Sequence, residues 1–181
     1  MKLILIVFLS LLTFVSFAKT DTPGTDSNQP VFNKQDPEAA NSAGSGYLST
    51  TERANVFVAK DIVLKAAEFW QRNGKETAID VFMDPDSQFF YKDLYLFVFD
   101  MDGKTIVHGE DPTLIGKNQY DLKDSKGNYF VRDFIELMQK TDSGWIEYYW
   151  KNYNTFETER KLSYLKRVGN YFIGCGAYKG D

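Results

Sequence analysis

Three β-prone runs close the chain: Trp145 to Tyr153, Arg160 to Val168 and Tyr171 to Tyr178. The short connections between them contain Asn154-Thr155 and Gly169-Asn170. A parallel crossover needs a dozen or more residues, so these runs are expected to lie side by side as antiparallel neighbours. Upstream, Asp93 to Glu110 (DLYLFVFDMDGKTIVHGE) reads as a hairpin: an aromatic-rich run, an Asp-Gly turn at Asp102-Gly103, and a second run that carries the chain's sole histidine, His108. Glycine accepts positive φ there without a Cβ clash.

The remaining elements are helical. Ser49 with Glu52 forms a capping box. Beyond it Ala54, Phe57, Val58, Ile62, Ala66, Phe69 and Trp70 recur at three- and four-residue spacings, one face of a long amphipathic helix. Asn73-Gly74 ends that helix through a left-handed cap. A shorter helix over Glu76 to Phe82 stops at Asp84-Pro85-Asp86. Asp111-Pro112 breaks the hairpin's second strand and opens a loop from Thr113 to Asn128, and Val131 to Lys140 reads as a helix with Phe134, Ile135 and Met138 on one side. Helices, a hairpin, a helix and a three-strand meander predict an α+β domain with a five-stranded antiparallel sheet.

The N-terminus has a different character. Lys2, an apolar run from Leu3 to Phe17, and Ser16-Phe17-Ala18 have the pattern of a cleavable export signal over residues 1–18. The apolar run is short for a membrane span, which takes roughly 20 residues. Residues 19–46 are rich in Asp, Asn, Ser, Pro and Gly and read as a flexible tether. The folded domain then covers residues 47–181. The expected chain is periplasmic or secreted, with no stable membrane span once the signal is removed. Its formal charge of −4 becomes about −5 when Lys2 is lost. That balance argues against nucleic acid, whose phosphates would favour a clustered basic face. Cys175 is the sole cysteine and sits in an apolar strand, as a buried inert thiol would.

Several motifs that could carry chemistry fail on spacing. Phe99-Asp100-Met101-Asp102-Gly103 imitates the nucleophile motif of haloacid dehalogenase phosphatases. That family places threonine or valine directly after the glycine, where Lys104 stands here, and it needs a parallel sheet of alternating strands and helices. Asp100 and Asp102 are therefore read as turn formers. An EF-hand register on Gly103 or Gly127 would put Val98 or Leu122 at the first ligand position. A lone histidine excludes a triad or a multi-histidine metal site, and no P-loop, nucleophile elbow or Cys-x-x-Cys pair is present. The reading is a non-enzyme without a cofactor.

Strand alternation then defines a candidate pocket. Ile146, Tyr148 and Trp150 share one face; Lys161 and Ser163 share a face opposite Leu162 and Tyr164; Phe172, Gly174, Gly176 and Tyr178 share another. Two glycines between aromatics leave a floor without side chains, room for a small molecule or for close helix packing. With Tyr95 and Phe97, this face suits a small anion: lysine would pair with a carboxylate and tyrosines would donate hydrogen bonds. The plainer reading is an aromatic core with Lys161 snorkelling outward and His108 as a hydrogen-bonded strand-end imidazole.

Taken in order, these strings resemble the Cache domains, in the single-Cache form (subtype two) of bacterial chemoreceptors and histidine kinases. The matching strings are Asp93-Leu94-Tyr95 into Phe97-Val98-Phe99-Asp100-x-Asp102-Gly103, then His108, then Leu114-Ile115-Gly116-Lys117-Asn118. Asp121-Leu122-x-Asp124, Gly127, Gly144-Trp145 with Tyr148 and Trp150, Lys161-x-Ser163-Tyr164 and Gly174-x-Gly176-x-Tyr178 follow. The resemblance implies a long N-terminal helix on a PAS-like antiparallel sheet whose pocket often takes small carboxylates or related metabolites. Pocket positions carried over are Tyr95, Phe97, His108, Tyr148, Trp150, Lys161 and Tyr178, with Leu114 on the covering loop. The chain departs from the family pattern after His108, where Gly109 and Glu110 replace a frequent proline. Family members usually sit between two membrane helices, and no second apolar span follows here. The leading expectation is an exported, freestanding sensor of a small organic anion that signals through a separate partner, a membrane-bound kinase or chemoreceptor. A structural or protein-interaction domain with a closed pocket is the alternative, and a phosphatase the third.

Overall fold

The computed structural model describes residues 50–179. The export signal over 1–18, the tether over 19–46 and the cap at Ser49 with Glu52 lie outside the described residues. Helix α1 spans Thr50–Asn73 and α2 spans Lys75–Met83. Gly74 alone separates them. Its N–H bonds the Trp70 carbonyl at 3.0 Å, closing the last turn of α1. Its φ of 81° with ψ of 168° is a combination open essentially to glycine, so the junction is not the left-handed cap expected. Asp84 ends α2 in extended conformation, as a residue before proline favours. No helix among the described residues is long and apolar enough to cross a membrane.

Strands β1 (Phe97–Asp100), β2 (Thr105–His108), β3 (Ser143–Lys151), β4 (Thr158–Val168) and β5 (Tyr171–Lys179) form one sheet in the order β2-β1-β5-β4-β3. Every pairing is antiparallel. Helix α3 (Phe130–Lys140) precedes β3. The β1–β2 turn is organised by Asp100, whose Oδ1 accepts from the Asp102 and Lys104 amides at 3.0 and 2.8 Å, while Gly103 adopts φ of 85°. Asp100 is thus spent on the turn, in a sheet with no parallel pair. The register shifts between Val98 and Phe99, which face Val107 and Thr105; Ile106 is the extra residue of a bulge. The hairpin is shorter than its sequence suggests: Tyr95 lies in the irregular lead-in to β1 but is still buried.

Each face of the sheet is covered. On one, Val98, Val107, Leu162, Ile173, Cys175 and Ala177 pack in one cluster with Ala59, Ile62, Val63, Ala66 and Trp70 of α1. Burial pushes the Cys175 thiol up to about 12, as expected of an inert core thiol. Phe57, assigned to this face by spacing, is instead 38% exposed. At about 100° per residue it lies roughly 160° around the helix from Ala59, whose side chain is fully buried.

The other face packs against α3: Phe130, Val131, Phe134, Ile135 and Met138 meet Phe97, Phe99, Tyr148, Leu165 and Phe172. Phe130 stacks on Tyr148 at 4.8 Å, Phe97 on Phe134 at 5.8 Å and Phe99 on Phe172 at 5.7 Å between centroids. Such pairs contribute about 0.5–1.5 kcal/mol each beyond their buried area, so this face is first of all a core. The glycine floor is filled accordingly. A Cβ on Gly174 would overlap the Phe97 ring, and one on Gly176 would overlap Ser163 Oγ. The missing side chains admit cross-strand neighbours of the same sheet rather than a ligand. Gly174→Ala should therefore destabilise the domain by about 1–3 kcal/mol in urea unfolding, and Phe97→Leu in the same chain should recover part of that loss. Strict additivity of the two changes would show that the contact is not what matters.

Candidate functional site

Pairing of β3, β4 and β5 places Tyr148, Lys161 and Tyr178 in one row across the sheet. Lys161 is wholly buried, which overturns the expectation that it snorkels outward. Its position in the middle strand of the three leaves no route to water. Nζ lies 3.9 Å from the centroid of Tyr95 and 4.6 Å from that of Tyr178, close enough for cation–π attraction. Its one hydrogen bond is a long one, 3.4 Å to Tyr178 Oη. None of the ion pairs among the described residues involves it. Burial lowers its pKa to about 7: desolvation disfavours the ammonium and outweighs the opposing pull of Asp93 and Glu110, neither of which forms an ion pair with it.

The tyrosines around it are ordered by their own hydrogen bonds. Tyr178 Oη donates its proton to the Lys151 carbonyl at 2.6 Å. The 3.4 Å contact with Tyr95 Oη therefore has Tyr95 as donor, as each hydroxyl carries one hydrogen. Tyr148 Oη pairs with Ser163 Oγ at 3.2 Å. Burial raises the pKa of all three phenols, so they remain neutral donors.

His108 sits at the end of β2, 5.0 Å from Tyr95 and 6.1 Å from Trp150 between centroids. Nδ1 accepts the Asp111 amide proton at 3.0 Å, and burial lowers the pKa to about 3. A neutral ring whose Nδ1 accepts must carry its proton on Nε2. Asp111 is held in turn by Thr113, whose amide and hydroxyl donate to Oδ1 at 3.0 and 2.6 Å. Gly109 is also required by space: a Cβ there would come within 2.8 Å of the Phe90 ring.

Tyr95, Phe97, His108, Tyr148 and Trp150, all expected at the pocket, gather around a cavity of about 10 Å³. That is room for about one water molecule. Lys161 and Tyr178 stand behind Tyr95 rather than on the cavity wall. Leu114 is not on the wall either: it lies half-buried in a 3₁₀ turn, Pro112–Leu114. From there the loop runs along the β2 edge, with the Thr105 amide donating to the Lys117 carbonyl and the Gly116 amide to the Thr105 carbonyl. The covering role falls to Gln119, which sequence reasoning missed. It lines the cavity, donates from Nε2 to Thr105 Oγ1 at 2.7 Å, and leaves Oε1 buried without a partner. A glutamine inside a polar loop has no periodicity to mark it as buried.

Further on, Asp124 fastens the loop to the opposite edge of the sheet. Its carboxylate accepts from the Lys126 and Asn128 amides at 2.9 Å each and from the Tyr149 amide of β3 at 3.3 Å. These bonds hold its pKa below the usual carboxylate value against the opposing effect of burial. The loop therefore bridges from β2 to β3, with Gln119 between its two attachments.

Residues 42–181 match the family model described as single Cache domain 2. Over 92 residues the chain is 33% identical to sensor histidine kinase MctS of Rhizobium johnstonii, covering 50% of this chain and 20% of that protein. Over 91 residues it is 26% identical to methyl-accepting chemotaxis protein McpP of Pseudomonas putida, covering 49% of this chain and 17% of that protein. The matches thus span about a fifth of the length of these relatives. Among solved structures, a methyl-accepting chemotaxis protein from Vibrio parahaemolyticus shares the fold with a TM-score of 0.60 at 24% identity, over 71% of this chain and 88% of that one. A Cache chemosensory domain whose structure concerns carboxylic acid recognition aligns at a TM-score of 0.55 and 18% identity, over 71% of this chain and 90% of that one.

Because His108 is the sole histidine, its ring nitrogens can be followed without assignment ambiguity. Nitrogen NMR should show the Nε2–H tautomer unchanged from pH 8 to 5. With a folded pKa of about 3 against about 6.5 unfolded, the unfolded chain binds the extra proton between those values. This group's contribution to stability is present above pH 6.5 and is lost as pH falls toward 3, at up to about 1.4 kcal/mol per pH unit. A midpoint near 6.5 in the folded protein would contradict the buried, amide-bonded ring.

Proposed function

The chain belongs to the single Cache domain 2 family of ligand-sensing domains, and from that premise we propose that it binds a small organic anion such as a carboxylate. The observation that carries this reading is Lys161: a wholly buried amine beside tyrosines that forms no ion pair among the described residues, with Asp93 and Glu110 acting on it only from a distance. Proteins bury cations with partners, and an anionic ligand would supply the one that is missing. The His108 Nε2–H would add a donor near it. Carboxylic acid recognition by one structural neighbour, a Cache chemosensory domain, agrees with that chemistry. We further read the chain as exported, periplasmic or secreted, with residues 1–18 as the signal, and as acting through a separate kinase or chemoreceptor.

A second reading, a structural or protein-interaction domain with a closed pocket, is favoured by the cavity's small size. A two- or three-carbon acid enters only if a wall yields. The two readings part in a thermal-shift screen against acetate, propionate and related acids. A ligand at a hundredfold excess over its Kd adds about 2.7 kcal/mol, a rise of several degrees in Tm; no shift with any acid would favour the closed domain.

The pH dependence is specific to Lys161. Anion affinity should be level between about pH 5.5 and 7 and fall about tenfold per pH unit above 7, as binding comes to require proton uptake by the amine. The empty domain should behave in the opposite sense. Because the unfolded lysine keeps its proton up to about 10.5, the empty domain should gain stability from pH 7 toward 10. Lys161→Met should remove both slopes while the domain still folds. Calorimetry and urea unfolding across that range check the two together.

A further inference from the structure

Resting on the anion-pocket reading, we propose that Gln119 makes the site selective for carboxylic acids that carry a hydroxyl group beside the carboxyl, over plain and keto acids of the same length. His108 gives the cavity a fixed donor, and of the side-chain oxygens that line it the Gln119 oxygen alone makes no hydrogen bond among the described residues. His108 offers Nε2–H and Lys161 lies just behind Tyr95, while the phenol oxygens of Tyr95 and Tyr148 are already engaged with Tyr178 and Ser163. Gln119 Oε1 is the buried side-chain oxygen left without a partner among the described residues. Its amide is fixed from the other end, because Nε2 donates to Thr105 Oγ1 at 2.7 Å.

A plain carboxylate brings only acceptors. It can accept from the imidazole and feel the charge of Lys161 behind Tyr95, but it leaves Oε1 unpaired and adds a second acceptor nearby. A cavity of about 10 Å³ has room for about one water, and a ligand that displaces an ordered water without reproducing its hydrogen bonds loses affinity. A hydroxyl can donate to Oε1. An ammonium would also donate, but it would bring a positive charge toward Lys161. A neutral hydroxyl donor on a small acid is the group that fits both ends of the site.

The test is calorimetric titration of the protein with propionate, each enantiomer of lactate, and pyruvate, three acids of equal length that differ at one carbon. At least one lactate enantiomer should bind about tenfold or more tighter than propionate, the penalty expected for an acceptor left unpaired. Gln119→Met, close in shape and without the amide, should bring lactate and propionate to equal affinity. Equal binding of propionate and lactate, or a lactate preference that survives Gln119→Met, overturns the proposal. So does a preference for pyruvate, which would mean that the amide presents its N–H to the ligand. Propionate binding that depends on Lys161 without any lactate preference overturns this proposal alone. Binding of none of these acids overturns it together with the anion pocket. The wild-type comparison stands whether or not the variant folds.

Discussion

Burial of the sheet on both faces is the constraint from which the rest follows. An antiparallel sheet commonly keeps one face in water and alternates apolar with polar residues. Here α1 covers one face and α3 the other, so β4 has no wet side: Leu162 and Tyr164 pack toward α1, while Lys161 and Ser163 are just as buried on the opposite face. In such a strand every polar group has to be answered from within the protein. Ser163 is answered by Tyr148. Lys161 is answered only by ring faces and one long hydrogen bond, with no ion pair among the described residues.

Where the chain speaks through alternation and short connections, its fold was legible. The meander, the sheet of five antiparallel strands and the apolar side of α3 all follow from spacing alone. The Asp100–Gly103 turn was equally plain, since an Asp carboxylate and a glycine at positive φ do there what their chemistry allows. Phe57 misled because aromatic character was counted as burial; an angular argument from Ala59 would have placed it on the outside. The bulge at Ile106 left no mark in the letters.

The site was legible in part. Tyr95, Phe97, His108, Tyr148 and Trp150 do converge, since strand register and the hairpin bring them to one place. Gly174 and Gly176 were read as open floor, when their space is taken by Phe97 and Ser163. Single-strand alternation gives the face of a residue but not how far its cross-strand neighbour reaches. Leu114 and Gln119 changed roles for a related reason. The loop's course is fixed by backbone bonds to β2 and by Asp124, neither of which has a periodic signature, so an apolar residue was chosen where a polar one turns inward.

That loop has a consequence for how the molecule meets other molecules. An edge strand with free amides and carbonyls is a template on which a further strand can grow. At β2 the amide and carbonyl of Thr105 are taken by the loop's own backbone at Lys117 and Gly116. At β3 the Tyr149 amide is occupied by Asp124. The loop that carries Gln119 therefore interrupts the sheet's free edge at one point on each border. Edge-to-edge polymerisation is disfavoured at these points of both borders.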